Sequence, residues 1–433
     1  MTITVIGHGY VGLVTATVFA DFGNTVYVIG RTEEKIARLR SGDPLIYEPG
    51  LEEILRKNID AKRLIFTREY EPAIRNSDVV FIAVGTPSAD TGEADLIQVF
   101  AVAEKVAPYL KKGYTVVSCK STVPVGTNAA IKKIIAQHKS IDVDFDVASC
   151  PEFLREGTGI SDTVNPHRVV IGVETDRARE VMLELHAPMQ AEKVVTNLET
   201  AELIKYASNS LLATKISFAN LISFYCEQTG ADVEGVLAGV GLDKRIGTSF
   251  LNPGIGYGGA CFPKDVKALI YTGKTHNVDT ALLDAVEQIN HDARSHFVEK
   301  ILAHAPGKKL GVWGLSFKPN TDDVREAPSV FIIEELLKQN FSLTCYDPQA
   351  AEHIKKRFGE RIAFVLDPFA AAKNVDALCI LTEWDEFKQI DLKKIAQSMR
   401  EKVIFDGRNI YTTKKMQELG FNYYSVGRKA VVQ

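Results

Sequence analysis

Cys261 and Asp265 are four residues apart in NPGIGYGGACFPKD, residues 252–265, a stretch holding four glycines and two prolines. A thiol needed only for packing requires no such setting, because a reduced cysteine fills any apolar strand or helix. Pro263 suits the first turn of a helix through PKDVKALIYTG, so Cys261 is expected just ahead of a helix N-terminus. There the macrodipole favours the thiolate, the nucleophilic form of the side chain. Asp265 is expected over the same first turn, and Gly258 and Gly259 should let backbone approach whatever the sulfur attacks. A helix cap carrying an incidental thiol is the plainer reading.

A second set of residues lies on ETAELIKYASNSLLATKISFANLISFY, residues 199–225, which contains no proline or glycine. Lys205 and Asn209 are one helical turn apart and form a polar stripe on an otherwise apolar surface, with Glu202 a turn earlier. A lysine on a buried helix usually carries its tip to water. Paired with an amide on one stripe, it suits the stabilisation of a developing oxyanion.

Three further stretches stand at the ends of apolar strands. SCPEFLREGTGI places Glu152 and Glu156 there, and KSTVP places Thr122 there. In open α/β sheets ligands bind beyond the carboxyl ends of the strands, although solvated carboxylates would look the same. Gly7, Gly9 and Gly12 in GHGYVG follow the strand-like TITVIG and open a helix. That pattern lets a dinucleotide pyrophosphate approach backbone amides at a helix N-terminus. About 20 residues on, an acidic residue would hold the adenosine ribose. Gly30 and Arg31 stand there instead, and a guanidinium can meet a 2′-phosphate or lie over the adenine.

Elements must hold these residues in place. Strand-like TVYVIG, SDVVFIAVGTP, YTVVSCKSTVP and FDVASCPEFL alternate with helical stretches to about residue 155, which predicts a parallel doubly wound sheet. The long 199–225 pattern should be a helix buried on several sides, joining domains and forming a subunit interface. After APGKK at 305–309, KLGVWGLSFKP begins a second α/β series with a helix from Ser329 to about Lys338, then SLTCYDP, DALCILTEW and KVIFDGRN. The expected fold is α/β: two Rossmann-like doubly wound domains joined by a long central helix and a helical dimerisation region. Its expected domains are 1–198, 199–304 and 305–433.

Bulk properties agree with this plan. A chain of 433 residues that is 45% apolar suits two or three domains. Its 51 basic and 55 acidic residues leave a net charge of −4, which offers no broad attraction to nucleic acid or an anionic membrane. No apolar run approaches a membrane span, and a strand starting at Thr2 leaves no room for a secretory signal. Six cysteines without a CxxC pair, and nine histidines without HExxH spacing, predict reduced thiols, no metal site and a cytoplasmic protein.

Together, GHGYVG, YEPGL, VGTP, STVPVGT, PEFLREGT, KYASNS, GYGGACFPKD, FKPNTDDVRE and FDGRN occur in an order that resembles the UDP-glucose/GDP-mannose dehydrogenase family over nearly the whole chain. GYGGACFPKD and PEFLREGT are most similar to its UDP-glucose-oxidising branch. The resemblance implies a cytoplasmic homodimer, built on the central helix, that oxidises UDP-glucose twice at C6 to UDP-glucuronate. Cysteine thiohemiacetal and thioester stages would link the two steps. It implies Cys261 as nucleophile, Lys205 and Asn209 as oxyanion donors, Asp265 and Thr122 as holders of a water, and Glu152 as general base. Substrate contacts would come from Glu152, Phe153, Leu154, Lys205, Asn209, Phe250, Gly258, Phe262, Phe317, Lys318 and Arg408, with Arg245 reaching in from a second copy. Gly7, Gly9, Tyr10, Val11, Gly12, Gly30, Arg31, Thr86, Ser121, Thr122, Glu156 and Arg325 would contact the dinucleotide. That dinucleotide is expected to be NAD, with NADP a close alternative because Gly30 and Arg31 replace the usual acidic residue. Oxidation of GDP-mannose or a UDP-N-acetylhexosamine, or a catalytically silent redox sensor, are the other readings.

Overall fold

Runs of Val, Ile and Phe build the first sheet from β1 (Thr2–Ile6), β2 (Thr25–Ile29), β3 (Leu64–Thr67), β4 (Val79–Ile82), β5 (Gly113–Cys119), β6 (Val143–Ser149), β7 (Arg168–Gly172) and β8 (Glu192–Thr196). This computed structural model describes residues 1–433 as two compact units: Met1–Ser208 with Lys267–Thr275, and Asn209–Val266 with His276–Gln433.

In the first unit the strand order is β3-β2-β1-β4-β5-β6-β7-β8. Alternate side chains serve two cores. Ile3, Val5, Val79 and Phe81 enter one, while Ile6, Val80 and Ile82 enter the other. A strand buried on both faces must read as a continuous apolar run, as these do. β1 has β2 on one side and β4 on the other, so the order reverses there and the crevice beyond β1 opens at a switch point. One departure from the expected parallel sheet is present. β6 and β7 are antiparallel, paired at Ser149 and Gly172, and β7 and β8 run parallel to each other.

The second unit repeats the order with β9 (Lys309–Trp313), β10 (Ser342–Tyr346), β11 (Ala363–Phe364), β12 (Ala377–Ile380), β13 (Val403–Asp406) and β14 (Asn422–Ser425), all parallel, as β11-β10-β9-β12-β13-β14. Ala377 and Cys379 face one core and Leu378 and Ile380 the other. The helix Ala281–His304 ends where APGKK begins, and β9 starts at Lys309.

The helix Leu198–Thr229 runs 32 residues, as the absence of Gly and Pro allows. Within the second unit, Ser217 donates to the Val286 carbonyl at 2.8 Å, and Asn220 Oδ1 accepts from Gly254 N at 2.8 Å. Near the end of this helix, Glu227 accepts from His296 Nε2 and Lys300 Nζ, both at 2.6 Å, and from Gly427 N at 2.8 Å. Burial pushes the Glu227 carboxyl up, but these partners outweigh it and hold it at about 2. No helix is long and apolar enough to cross a membrane.

Candidate active site

The helix Phe262–Thr275 begins immediately after Cys261, whose carbonyl accepts from Asp265 N at 2.9 Å. That bond makes Cys261 the capping residue of the first turn. Its side chain is exposed, whereas Cys119, Cys150, Cys226, Cys345 and Cys379 are buried. The glycines before it pack closely against a distant stretch of chain. A Cβ on Gly258 would lie 2.2 Å from the Glu326 carbonyl oxygen, and Gly259, at φ +85°, would place one 2.7 Å from the Phe317 ring. Both glycines admit the 317–326 segment. Gly259 N also donates to the Arg325 carbonyl at 2.9 Å.

Asp265 is 1% exposed and has two side-chain partners. Asn209 Nδ2 donates to its Oδ2 at 2.6 Å, and Lys264 Nζ reaches the other oxygen. The cysteine turn is thereby tied to the long helix at the position expected to help hold an oxyanion.

One turn earlier on that helix, in the first unit, Lys205 is 3% exposed and donates to Glu152 Oε1 at 3.1 Å. The other Glu152 oxygen accepts from Leu154 N at 2.7 Å. Lys205 Nζ is also 5.2 Å from the centre of the Phe153 ring, over which the Arg168 guanidinium stacks at 3.8 Å. Glu152 and Phe153 line a cavity with Lys120, Cys150, Arg168 and His186. There Cys150 Sγ lies 3.9 Å from Lys120 Nζ and 3.6 Å from His186 Nε2. Burial pushes this thiol up, and Lys120 and His186 outweigh that and bring it to about 7.

The turn after β1 fits a dinucleotide. Gly7, at φ +115°, would place a Cβ 2.3 Å from the Ala83 carbonyl oxygen, and Gly12 would place one 2.1 Å from the Gly7 oxygen. Gly9 caps the helix Tyr10–Asp21 with no side-chain bond, and a Cβ there meets nothing within 4 Å. The helix amides thus face open space of the kind a pyrophosphate fills. Val11 is in that first turn. Tyr10 directs its hydroxyl elsewhere, donating to Glu48 and accepting from Gly157 N at 3.1 Å, with Glu156 close enough to act on it electrostatically. Thr86 Oγ1 donates to the Thr122 carbonyl at 2.9 Å and Ser121 Oγ to the Val84 carbonyl at 2.7 Å, so the loops after β4 and β5 hold each other. Gly30 is covered by the His8 ring: a Cβ there would lie 2.5 Å from His8 Cδ2.

In the second unit, Phe250 adopts φ +64° and its ring centre is 6.2 Å from that of Phe262. A bulky residue in the left-handed region is strained, and strain of that kind clusters at ligand sites. Arg408 Nε donates to the Leu381 carbonyl at 2.9 Å, and Lys318 lies over the Phe317 ring at 5.6 Å. Arg325 is held on Asp323. Arg245 stands apart, its side chain 89% exposed and bonded to Asp243.

Some contributors had no assigned role in the sequence reading. Glu48 accepts from Gly157 N at 2.6 Å and Ile160 N at 3.4 Å, which anchors the loop after Glu152. Glu202 accepts from Gly126 N at 2.7 Å and Asn128 N at 2.8 Å, capping the helix Thr127–His138 behind the Thr122 loop. The motif YEPGL marked the first of these, and the polar stripe on the long helix marked the second without showing its partners.

Three family models match the chain. They are the UDP-glucose/GDP-mannose dehydrogenase family NAD binding domain over residues 1–190, its central domain over 199–292 and its UDP binding domain over 311–413. The UDP-glucose 6-dehydrogenase TuaD of Bacillus subtilis is 46% identical over 99% of this chain and 94% of its own length. A UDP-glucose 6-dehydrogenase of Rhizobium meliloti is 44% identical over 99% of this chain and 100% of its own. Among solved structures, a UDP-glucose dehydrogenase from Pyrobaculum islandicum superposes with a TM-score of 0.92 at 39% identity, covering 99% of this chain and 98% of that one. A UDP-D-ManNAc dehydrogenase from Pyrococcus horikoshii gives 0.86 at 27%, covering 99% of both.

Proposed function

The chain belongs to the UDP-glucose/GDP-mannose dehydrogenase family, and from that premise we propose that it oxidises C6 of UDP-glucose twice, with Cys261 holding the sugar between the steps. Membership makes it an oxidoreductase of nucleotide sugars that uses a nicotinamide dinucleotide and takes a UDP-sugar. The greater likeness to UDP-glucose dehydrogenases than to the UDP-D-ManNAc enzyme supports glucose as the sugar. Family resemblance taken alone favours NAD as the dinucleotide, with NADP the close alternative because Gly30 and Arg31 follow β2.

The observation that carries the reading is Cys261, the exposed thiol among six, one turn from an Asp265 already engaged by Asn209. When bound, the dinucleotide accepts a hydride from C6 in each oxidation. Cys261 Sγ adds to the aldehyde carbon of the first product: a C–S bond forms and the carbonyl pair moves to oxygen, which takes a proton. Loss of that proton and a second hydride leaves a thioester. Water then adds to the thioester carbon, the C–S bond breaks, and carboxylate and thiolate result. A covalently held aldehyde cannot diffuse away, which is the advantage of the detour.

Lys205 and Asn209, one turn apart on one helix, donate to the oxygen that gains charge. Glu152 takes protons through a water that Asp265 and Thr122 orient. The UDP-sugar contacts are Phe153, Leu154, Phe250, Gly258, Phe262, Phe317, Lys318 and Arg408, with the partner subunit's Arg245. A homodimer is supported by Leu211, Phe218 and Tyr225, which leave 63%, 45% and 62% of their surfaces exposed at seven-residue spacing along the long helix. The division of labour follows 1–198 for the dinucleotide, 199–304 for dimerisation and 305–433 for the UDP-sugar.

Turnover with UDP-glucose, GDP-mannose and UDP-N-acetylhexosamines in competition tests the reading. UDP-glucose should be consumed first, with two reduced dinucleotides formed per sugar. One per sugar, or preference for another nucleotide sugar, contradicts it.

A further inference from the structure

We propose that the adenosine end of the dinucleotide site selects a 2′-phosphate, so that this enzyme prefers NADP to NAD. The proposal rests on the dinucleotide reading of the Gly7–Gly12 turn and goes beyond it to the chemistry that residues 8 and 30–35 can recognise.

Position 30 directly follows β2, and Gly7 N donates to the Ile29 carbonyl at 3.0 Å, so the end of β2 abuts the pyrophosphate turn. In this fold a carboxylate at that place accepts from the ribose 2′-hydroxyl of NAD. Here the place is occupied by two other side chains, which any residue larger than glycine would have to displace. The Cβ of any residue at 30 would lie 2.5 Å from His8 Cδ2 and 2.7 Å from Ile36 Cδ1. The imidazole of the turn itself has filled the position, so a bare 2′-hydroxyl meets no carboxylate at the strand end.

Cations stand there instead. Arg31 and Lys35 are exposed and make no ion pair or hydrogen bond within the chain. Both act on His8, which is held below the usual imidazole range first by burial and further by the positive charges of Lys35 and Arg31. Two unpaired cations therefore stand close enough to the ring that covers Gly30 to act on it electrostatically. Thr32 caps the helix Glu33–Arg40 with extended backbone and no side-chain bond, leaving its hydroxyl for a ligand. Of the acidic residues in that first turn, Glu33 is engaged with Arg40 at 2.8 Å and Arg68 at 3.9 Å; Glu34 is the other. A phosphate monoester, nearly dianionic at neutral pH and rich in acceptor oxygens, matches a guanidinium, an ammonium and a hydroxyl.

The test is calorimetric titration of the purified protein, without any sugar, with 2′,5′-ADP against 5′-ADP and with NADP against NAD. The 2′-phosphorylated member of each pair is expected to bind at least about tenfold tighter, and its advantage should shrink as salt is raised. In the Arg31→Ala/Lys35→Ala double variant the ratio should fall to near one. In His8→Ala/Gly30→Asp, which clears the ring and restores a carboxylate, it should reverse. Equal or tighter binding of 5′-ADP and NAD to the wild type would overturn the proposal, as would a ratio unmoved by the double variant. Because no sugar is present, this result is independent of turnover. An enzyme that binds NADP preferentially but oxidises no UDP-glucose would refute the proposed function and leave this inference standing.

Discussion

The Asn209 amide donates to Asp265 across 2.6 Å, and both side chains are buried. An amide nitrogen carries two protons. One is engaged by Asp265, which fixes the orientation of the amide and leaves the other for a substrate oxygen. Asp265→Asn keeps the shape and removes the charge that fixes it. We expect kcat to fall about 100-fold or more, with KM for UDP-glucose changed much less and thermal stability lowered by only a few degrees. Steady-state kinetics and a melting curve check this. A variant within threefold of wild type would show that the pair does not serve the chemistry.

Gly9 and Gly12 belong to one motif but face different surroundings. Added Cβ atoms would meet nothing at Gly9 and the Gly7 carbonyl oxygen at 2.1 Å at Gly12. Gly9→Ala should therefore fold with wild-type stability and bind dinucleotide at least about tenfold more weakly, since the methyl enters the space a pyrophosphate fills. Gly12→Ala should cost about 1–3 kcal/mol of folding stability. Urea unfolding and calorimetric titration of both separate the two effects. Equal destabilisation by both would contradict the assigned surroundings.

Acid stability should depend on Glu227. Its carboxyl is held at about 2 against an ordinary 4.5, so between these values the unfolded chain binds more protons than the folded one. The resulting stabilisation, about 3 kcal/mol, is complete above the unfolded value and is lost as pH falls towards 2. The stability gap between wild type and Glu227→Gln should be full at neutral pH and shrink by more than half at about pH 3. A gap constant across that range would mean that Glu227 acts through shape alone.

Thiol labelling should be ordered by exposure. Iodoacetamide on the native protein is expected to modify Cys261 first, because the other five sulfurs are buried. Cys150 should react only after the fold opens, despite the acidity that Lys120 and His186 give it. Peptide mapping over time reads the order, and early labelling at Cys150 would show that its cavity opens in the native state.

Much of the scaffold was legible because its signals are local. Strand runs, the Gly-free length of Leu198–Thr229 and the break at APGKK each lie within one window of chain. The strands RVVIG and EKVVT carried the same β-branched signal, but their antiparallel attachment depends on Ser149 meeting Gly172, which no local pattern encodes. Long-range packing also gives Gly258 and Gly259 a role that no local pattern shows, because their neighbours Glu326 and Phe317 are some sixty residues away in the chain. The same holds for Cys150, whose acidity needs residues 120 and 186. His8 was visible inside GHGYVG, yet only the fold shows that its ring covers Gly30 at the end of β2.

Covalent catalysis is the claim on which the rest depends, and mass spectrometry of enzyme quenched during turnover of UDP-glucose tests it most directly. The account expects a sugar-nucleotide increment on the peptide carrying Cys261, absent without dinucleotide. Unmodified Cys261 throughout steady turnover, with UDP-glucuronate still forming, would contradict it.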